Sequence, residues 1–227
     1  MPEFVVFTLA APMGSFGDVA GHERRGSQTW PGRSAILGLI GAALGVRRTD
    51  ASGQAALDMW QIAVATLASG TPLRDFHTAQ AVPTARIKRP NSRREALAAL
   101  RPEDNPVLTT RDYLTDCAFA VAVWGGDAEP VVQALKTPAF TPYLGRKSCP
   151  LSMPMAPRLI TADSPVLALT HAAAPPWLPQ ARPLHVASDP YPGQHGRIET
   201  RWDQPRDRAA WHFSARSVTH LTPEAKT

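Results

Sequence analysis

Ala118-Phe-Ala-Val-Ala-Val-Trp124 is an unbroken apolar run closed by Gly125-Gly126, and its reading decides the fold. It is short, rich in β-branched and aromatic side chains, and stopped by glycines, so it reads as a buried strand. Working outward, Glu129 to Thr137 reads as a short amphipathic helix, with Pro130 near its first turn and Val131, Val132 and Leu135 on one face. Upstream, Leu73-Arg-Asp-Phe-His-Thr-Ala79 alternates as a strand does, and Gln54 to Ala68 reads as a short helix passing into a strand around Ile62-Ala-Val-Ala-Thr-Leu. Ser34 to Gly45 reads as a helix, with Ser34 as N-cap and Gly45 as C-cap, and Phe4 to Ala10 as the first strand. The order is strand, helix, strand, strand, strand, helix. One further strand after Pro142 completes an α+β, ferredoxin-like split βαβ arrangement.

Between the first strand and the first helix, Met13 to Pro31 shows no apolar period and reads as a long loop. Gly38 and Gly41 each cost about 1 kcal/mol against Ala inside a helix, which fits a helix lying close on a sheet. The loop, the helix N-terminus and Arg33 together have the makings of an anion site. No Gly-Lys-Ser/Thr follows a glycine loop, so nucleotide hydrolysis gains no support.

The chain has 227 residues, 44% hydrophobic and 19% charged, enough for one large domain or two small ones with real cores. Its net charge of +5 comes from 20 Arg and 4 Lys against 19 acids. Cys117 and Cys149 make neither a disulfide framework nor a zinc motif, which suits a reducing compartment, and the N-terminal segment lacks the form of a signal peptide. The longest stretch free of Asp, Glu, Lys and Arg, Ser164 to Ala181, holds four prolines, so no membrane span is expected and the reading is a cytoplasmic protein. Ten of the 23 prolines fall between Pro150 and Pro192, which argues against helices or central strands there.

The charge is concentrated in an insertion, Gln80 to Thr115. Arg86, Lys88, Arg89, Arg93 and Arg94 place five positive charges in nine residues, as many as the net charge of the whole chain. Pro83, Pro90, Pro102 and Pro106 make the segment extended and exposed, either a solvated basic loop or an arm that clamps a nucleic-acid backbone. Leu144-Gly-Arg-Lys-Ser-Cys-Pro150 is a second compact polar motif: Gly145 permits close approach, and Arg146, Lys147 and Ser148 suit a phosphate oxygen. Among seven histidines, His77 follows Asp75 and His22 precedes Glu23, but no metal or hydrolase pattern occurs. A set of Tyr113, Lys88 and His77 for cleaving RNA through its 2′-hydroxyl can be drawn only by assumption. No cofactor and no metal site is expected.

Several stretches together resemble the CRISPR-associated Cas-five family of the repeat-associated superfamily, in the form found in type I-E Cascade. They are Leu9-Ala-Ala-Pro-Met-Gly-Ser-Phe-Gly-Asp18, Trp30-Pro-Gly-Arg-Ser-Ala-Ile-Leu-Gly-Leu-Ile-Gly-Ala-Ala-Leu-Gly45, Leu73-Arg-Asp-Phe-His-Thr78, Thr110-Arg-Asp-Tyr-Leu-Thr-Asp-Cys-Ala-Phe119 and Tyr143-Leu-Gly-Arg-Lys-Ser-Cys-Pro-Leu151. The resemblance covers about Phe4 to Met155. It departs at Gly32, where the family more often has Thr, and at Ala35, where it often has Gly.

This resemblance implies an RRM-like ferredoxin domain over 1–150, a β-hairpin thumb inserted at about 80–110, and a Pro-rich connection with a small C-terminal β region over 151–227. It implies a non-catalytic subunit that holds the 5′ handle of CRISPR RNA, caps the backbone filament, and touches the neighbouring backbone subunit and the large subunit, with target DNA engaged only through the complex. The RNA-binding residues it suggests are Met13, Gly14, Ser15, Phe16 and Gly17, with Arg24, Arg25, Arg33 and Ser34. His77, Arg86, Lys88, Arg89, Arg111 and Tyr113 follow, then Arg146, Lys147, Ser148 and Cys149. A related subtype processes repeat RNA as an endoribonuclease, which is the alternative. A DNA-binding regulator lacks its helix-turn-helix. Ala156 to Gln194 gives no reading, and Trp202, Trp211 and Phe213 between Arg197 and Arg216 suggest one or two closing strands, with Arg201 and Arg216 facing a partner.

Overall fold

A computed structural model describes residues 1–21, 23–80, 82, 85–207 and 212–222. The elements in chain order are β1 (Glu3–Gly14), β2 (Phe16–Ala20), β3 (Arg24–Gln28), α1 (Arg33–Ala43), α2 (Ala51–Asp58), β4 (Gln61–Ala68), β5 (Thr71–Ala79) and α3 (Arg93–Ala98). They continue with β6 (Val107–Trp124), α4 (Ala128–Lys136), β7 (Arg158–Thr161), α5 (Pro165–Leu169), β8 (His185–Ser188), β9 (Arg197–Asp207) and β10 (His212–Leu221). The molecule is a mixed α+β structure built on one large sheet.

The run at Ala118–Trp124 is the inner half of β6, an 18-residue strand that pairs with β1, β3, β4 and β5. Its inner half pairs antiparallel with β1 on one side, Leu9 opposite Phe119, and with β4 on the other, Val64 opposite Val121. β7 extends the sheet beyond β1, and β8, β10 and β9 extend it beyond β4. The outer half of β6, Val107–Thr115, leaves the sheet as a ribbon with β5, register Thr71 to Thr115 through Ala79 to Val107. The break between the halves falls at Gly70 (φ +71°) and Asp116 (φ +54°). A Cβ at Gly70 would lie 2.3 Å from the Thr115 carbonyl oxygen, so only glycine permits this bend.

Alternation divides the buried residues between two faces. Val5, Phe7 and Leu9 of β1 and Phe119, Val121 and Val123 of β6 pack with Ile36 and Ile40 of α1, Leu57 of α2 and Val131 and Leu135 of α4. Full burial of a side chain such as Phe119 contributes about 1.5–3 kcal/mol. The opposite face presents Ala63, Ala65, Ala120 and Ala122, whose small side chains let Ala168 and Leu169 of α5 and Val186 of β8 come close. Phe4, Trp124 and Tyr191 close that layer with ring centroids 5.5–6.2 Å apart. Here the proline-rich segment finds its place, as a cover that Thr8 Oγ1 ties down by donating to the Ala173 carbonyl at 2.6 Å.

A buried ionic cluster fastens the C-terminal hairpin to this body. Asp189 accepts from Arg33 Nη1 at 3.0 Å, from the Ile62 amide at 2.9 Å and from Arg216 Nη1 at 2.5 Å. Arg216 also pairs with Asp203 of β9 through Nε and Nη2, and Arg33 Nη2 donates to the Asp58 carbonyl. Arg201 lies over Trp30, its guanidinium carbon 4.5 Å from the ring centroid.

The structure corrects several expectations. Met13 to Pro31 is not one loop: β1 runs on to Gly14, and β2 and β3 form a hairpin whose small and polar residues pair by backbone without an apolar period. Helix α1 begins at Arg33 with Gly32 as N-cap, and Ser34 makes no cap. The helix ends at Ala43 with Leu44 as C-cap, and Gly45 follows with φ +76°. Gly41 is a packing glycine, since a Cβ there would lie 2.7 Å from Leu57 Cδ1, whereas a Cβ at Gly38 would meet nothing within 4 Å. β8 is a central strand inside the proline-rich segment, possible because Pro183 and Pro190 flank it without entering it. Arg216 and Arg201 turn inward instead of facing a partner. The expected closing strands are β9 and β10; Trp211, like His22 and Pro83, lies outside the described residues.

Asp189→Ala would leave two buried guanidinium groups without their shared carboxylate. The expected loss is about 3–5 kcal/mol in urea unfolding, and a loss within about 0.5 kcal/mol, the usual surface range, would show that the cluster does not hold the hairpin.

Candidate nucleic-acid interface

The base of the β5–β6 ribbon is where separate stretches of sequence converge. The loop after α4 is pinned to β1 by the Ser15 amide, which donates to the Leu144 carbonyl at 3.1 Å. The Leu144 amide donates to the Cys149 carbonyl at 2.9 Å and the Cys149 amide to the Arg146 carbonyl at 2.9 Å, which closes the loop on itself. Gly145 sits at φ +82°, and a Cβ there would fall 1.7 Å from the Ser15 carbonyl oxygen. The motif therefore needs glycine for close backbone approach.

That approach delivers Arg146 onto Tyr113, with the guanidinium carbon 4.6 Å from the ring centroid. Burial pushes the Tyr113 hydroxyl pKa up, but hydrogen bonding from Arg146, Ser148 and Arg111 and the Arg146 charge outweigh it and hold the phenol below its usual value. Arg146 Nη2 donates to the Arg25 carbonyl at 3.3 Å, while Arg146 Nη1 and Arg111 Nε are buried with no hydrogen-bond partner. Unsatisfied cationic nitrogens of this kind are costly unless an acceptor reaches them. Among the described residues, Arg25, Arg111, Arg146 and Lys147 have no carboxylate partner.

The ribbon is braced at the same level. Asp112 accepts from Arg74 Nε across the hairpin at 2.7 Å and from Arg24 Nη2 of β3 at 3.0 Å. The Arg74 hydrogen bond, with Arg24 adding to it, keeps the Asp112 carboxyl below the usual carboxylate range. β3 adds a parallel pairing of Arg24 with Thr110 and Arg25 with Arg111. The seam thus runs between β3, the loop 143–149 and the outer half of β6, and leads along the ribbon toward the basic tip. There Lys88 and Arg89 are exposed, Arg86 pairs with Asp104, and Arg93 donates to the Gln80 carbonyl at 2.6 Å. The tip also contains α3, capped by Ser92 Oγ accepting from the Glu95 amide at 3.2 Å, so the insertion is neither wholly extended nor a loop up to Thr115.

The suggested site residues divide accordingly. Arg24, Arg25, Arg111, Tyr113, Arg146, Lys147 and Ser148 meet at the seam, with exposed Gly17 and half-buried Met13 beside it. Lys88, Arg89 and His77 lie on the arm, His77 Nδ1 3.2 Å from Asp75 Oδ2. Four turn inward. Phe16 is a core residue, edge-on to Phe119 at 5.4 Å, and not a floor for bases. Arg33 is 4% exposed and held by Asp189, so the helix start is no anion site for an outside ligand. Cys149 is fully buried, and Ser15 is buried with Oγ donating to the Asp112 carbonyl. Gly14 is hemmed in by Cys117 and Phe16; burial raises the Cys117 thiol pKa to about 11. Ser34 is exposed but stands away from the seam beside Asp203 and Pro205. Sequence reasoning missed Arg74 and Asp112 as a brace, and Phe76, 63% exposed on the same ribbon face. The alternation in Leu73–Ala79 carries that signal only once its register against Asp112 is known.

The family model described as CRISPR-associated protein (Cas_Cas5) matches residues 4–219. The chain belongs to this family. It is 34% identical over 183 residues to the CRISPR system Cascade subunit CasD of Escherichia coli strain K12, covering 74% of this chain and 76% of that protein. Among solved structures, it resembles a chain of a CRISPR RNA-guided surveillance complex with a TM-score of 0.69 at 27% identity, covering 96% of this chain and 89% of that one. It also resembles a structure described as a Cas protein, with a TM-score of 0.63 at 25% identity over 96% and 94% of the two chains.

The cationic seam lowers the pKa of the Tyr113 phenol. Ultraviolet titration of the three tyrosines should show one tyrosinate forming below the usual pKa of about 10. Tyr113→Phe should remove that step and Arg146→Ala move it up. An early step that survives Tyr113→Phe would contradict the assignment.

Proposed function

We propose that this chain is a non-catalytic RNA-binding subunit of a type I-E Cascade complex, which holds the 5′ handle of CRISPR RNA and caps one end of the backbone filament. The single observation that carries this reading is the seam at the ribbon base, where Arg25, Arg111, Arg146 and Lys147 make no ion pair with a carboxylate among the described residues. A Cascade subunit and a chain of an RNA-guided surveillance complex among its relatives support it. The strand order β7–β1–β6–β4, with α1 between β1 and β4 in the chain and α4 between β6 and β7, supports a ferredoxin-like core, and the β5–β6 ribbon with its tip supports the thumb.

Single-stranded RNA is held by phosphates in a basic groove and bases stacked on aromatic or guanidinium faces. The sheet itself does not offer such a platform, because its alanine face is covered by α5 and the residues around it. Recognition therefore passes to the seam and ribbon: Arg111, Arg146 and Lys147 for phosphates, with Lys88 and Arg89 closing from the tip. His77 lies opposite Thr109, four residues along β6 from Tyr113. At about 3.3 Å per residue that is roughly 13 Å, too far for both groups to serve one scissile phosphate, which supports binding without cleavage.

Changing Lys88, Arg89 and Arg94 together to Ala should weaken binding of a handle RNA and lower the slope of log K against log salt by about 2, at roughly 0.7 per lost phosphate contact. An unchanged slope would count against the arm. Incubation of the wild-type protein with repeat RNA in chelator should leave the RNA intact; a single cut ending in a 2′,3′-cyclic phosphate would overturn the non-catalytic reading.

A further inference from the structure

Beside the seam, on the side away from the ribbon, two adjoining cavities of about 560 and 360 Å³ share Pro142. The first lies under Phe140, Tyr143 and Pro150, the second among Leu135, Met153 and Pro154. Phe140 is 45% and Tyr143 39% exposed. Neither cavity is lined by a single carboxylate, and Lys147 and Lys136 stand at their walls.

The backbone that presents these aromatics is fully tied. The Ala139 and Phe140 amides donate to the Ala43 and Ala42 carbonyls at the end of α1, at 2.9 and 3.1 Å. Tyr143 bridges to Pro150, and Leu144 between them is anchored in the core. A rigid, ordered loop that turns Phe140 and Tyr143 outward while burying its neighbour is a preformed surface, and preorganisation removes much of the ordering cost of association. Rigid aromatics beside proline walls are the anchors around which protein interfaces concentrate their energy.

We infer that this aromatic–proline groove docks a neighbouring protein subunit, and that its occupant is an apolar segment flanked by Asp or Glu. The apolar part fills the space beside Phe140 and Tyr143, and the acids meet Lys136, since Lys147 is engaged at the seam. An RNA strand suits the groove poorly, since most of its lining is aliphatic and proline. The inference rests on the reading of the chain as an assembly subunit.

The test places the photo-crosslinking residue p-benzoylphenylalanine at position 140 in the chain assembled with its guide RNA and companion subunits. Irradiation should join it to one segment of a second protein subunit that carries apolar residues with Asp or Glu beside them. Cross-links to RNA alone, to a segment without acids, or to nothing would overturn the proposal. In parallel, Phe140→Asp with Met153→Asp should weaken subunit retention about tenfold or more while the isolated chain binds handle RNA as before. Equal retention would also overturn it. Failure of the unaltered chain to bind handle RNA would instead strike at the functional reading, so the two are separable.

Discussion

The structure depends on one strand being both core and arm. β6 is buried on both faces from Cys117 to Trp124, and the same backbone continues outward as half of an exposed ribbon. Strand pairing resumes on the far side of the bend, while the side chains switch from Phe119, Val121 and Val123 to Arg111, Asp112 and Tyr113. Gly70 and Asp116 absorb the bend, so the ribbon is fixed in direction by the sheet from which it rises. A binding arm built on a loop would bear the entropy of ordering itself; one that extends the central strand starts already aligned.

Two further constraints turn that strand into a site. The steric approach of Gly145 to Ser15 locks the loop 143–149 against the β1 end, which sets Arg146 over Tyr113. The Asp112 carboxylate, held from both sides by Arg24 and Arg74, braces the ribbon against β3. The first sets Arg146 where no acid answers it, the second fixes the ribbon beside it, and the Asp189 cluster keeps the C-terminal hairpin fastened to the body. The alanine face of the sheet is occupied, which leaves the edge and the arm as the exposed surfaces of this part of the molecule.

Much of this was legible in the residues. Ala118–Trp124 announces itself because burial demands continuous apolar character, the strand around residues 62–67 shows through for the same reason, and the basic run 86–94 reveals the arm because no acid falls within it. What escaped did so for physical reasons. β2 and β3 pair through backbone with small and polar side chains, leaving no hydrophobic period to read. Phe16 and Arg33 looked like ligand contacts by type, yet Phe119 and Asp189, more than a hundred residues away in sequence, draw them inward. The segment 156–194 was opaque because its two strands and its helix are each only four or five residues long, fitted between prolines.

The central claim, that the seam at the ribbon base grips the RNA handle, is tested most directly by hydrogen exchange of the full chain with and without a synthetic CRISPR RNA bearing its 5′ handle. The account predicts slowed exchange in Val107–Thr115 and in the loop 143–149, together with the arm tip. Protection confined to the C-terminal hairpin or to the alanine face, with these two segments unchanged, would contradict it.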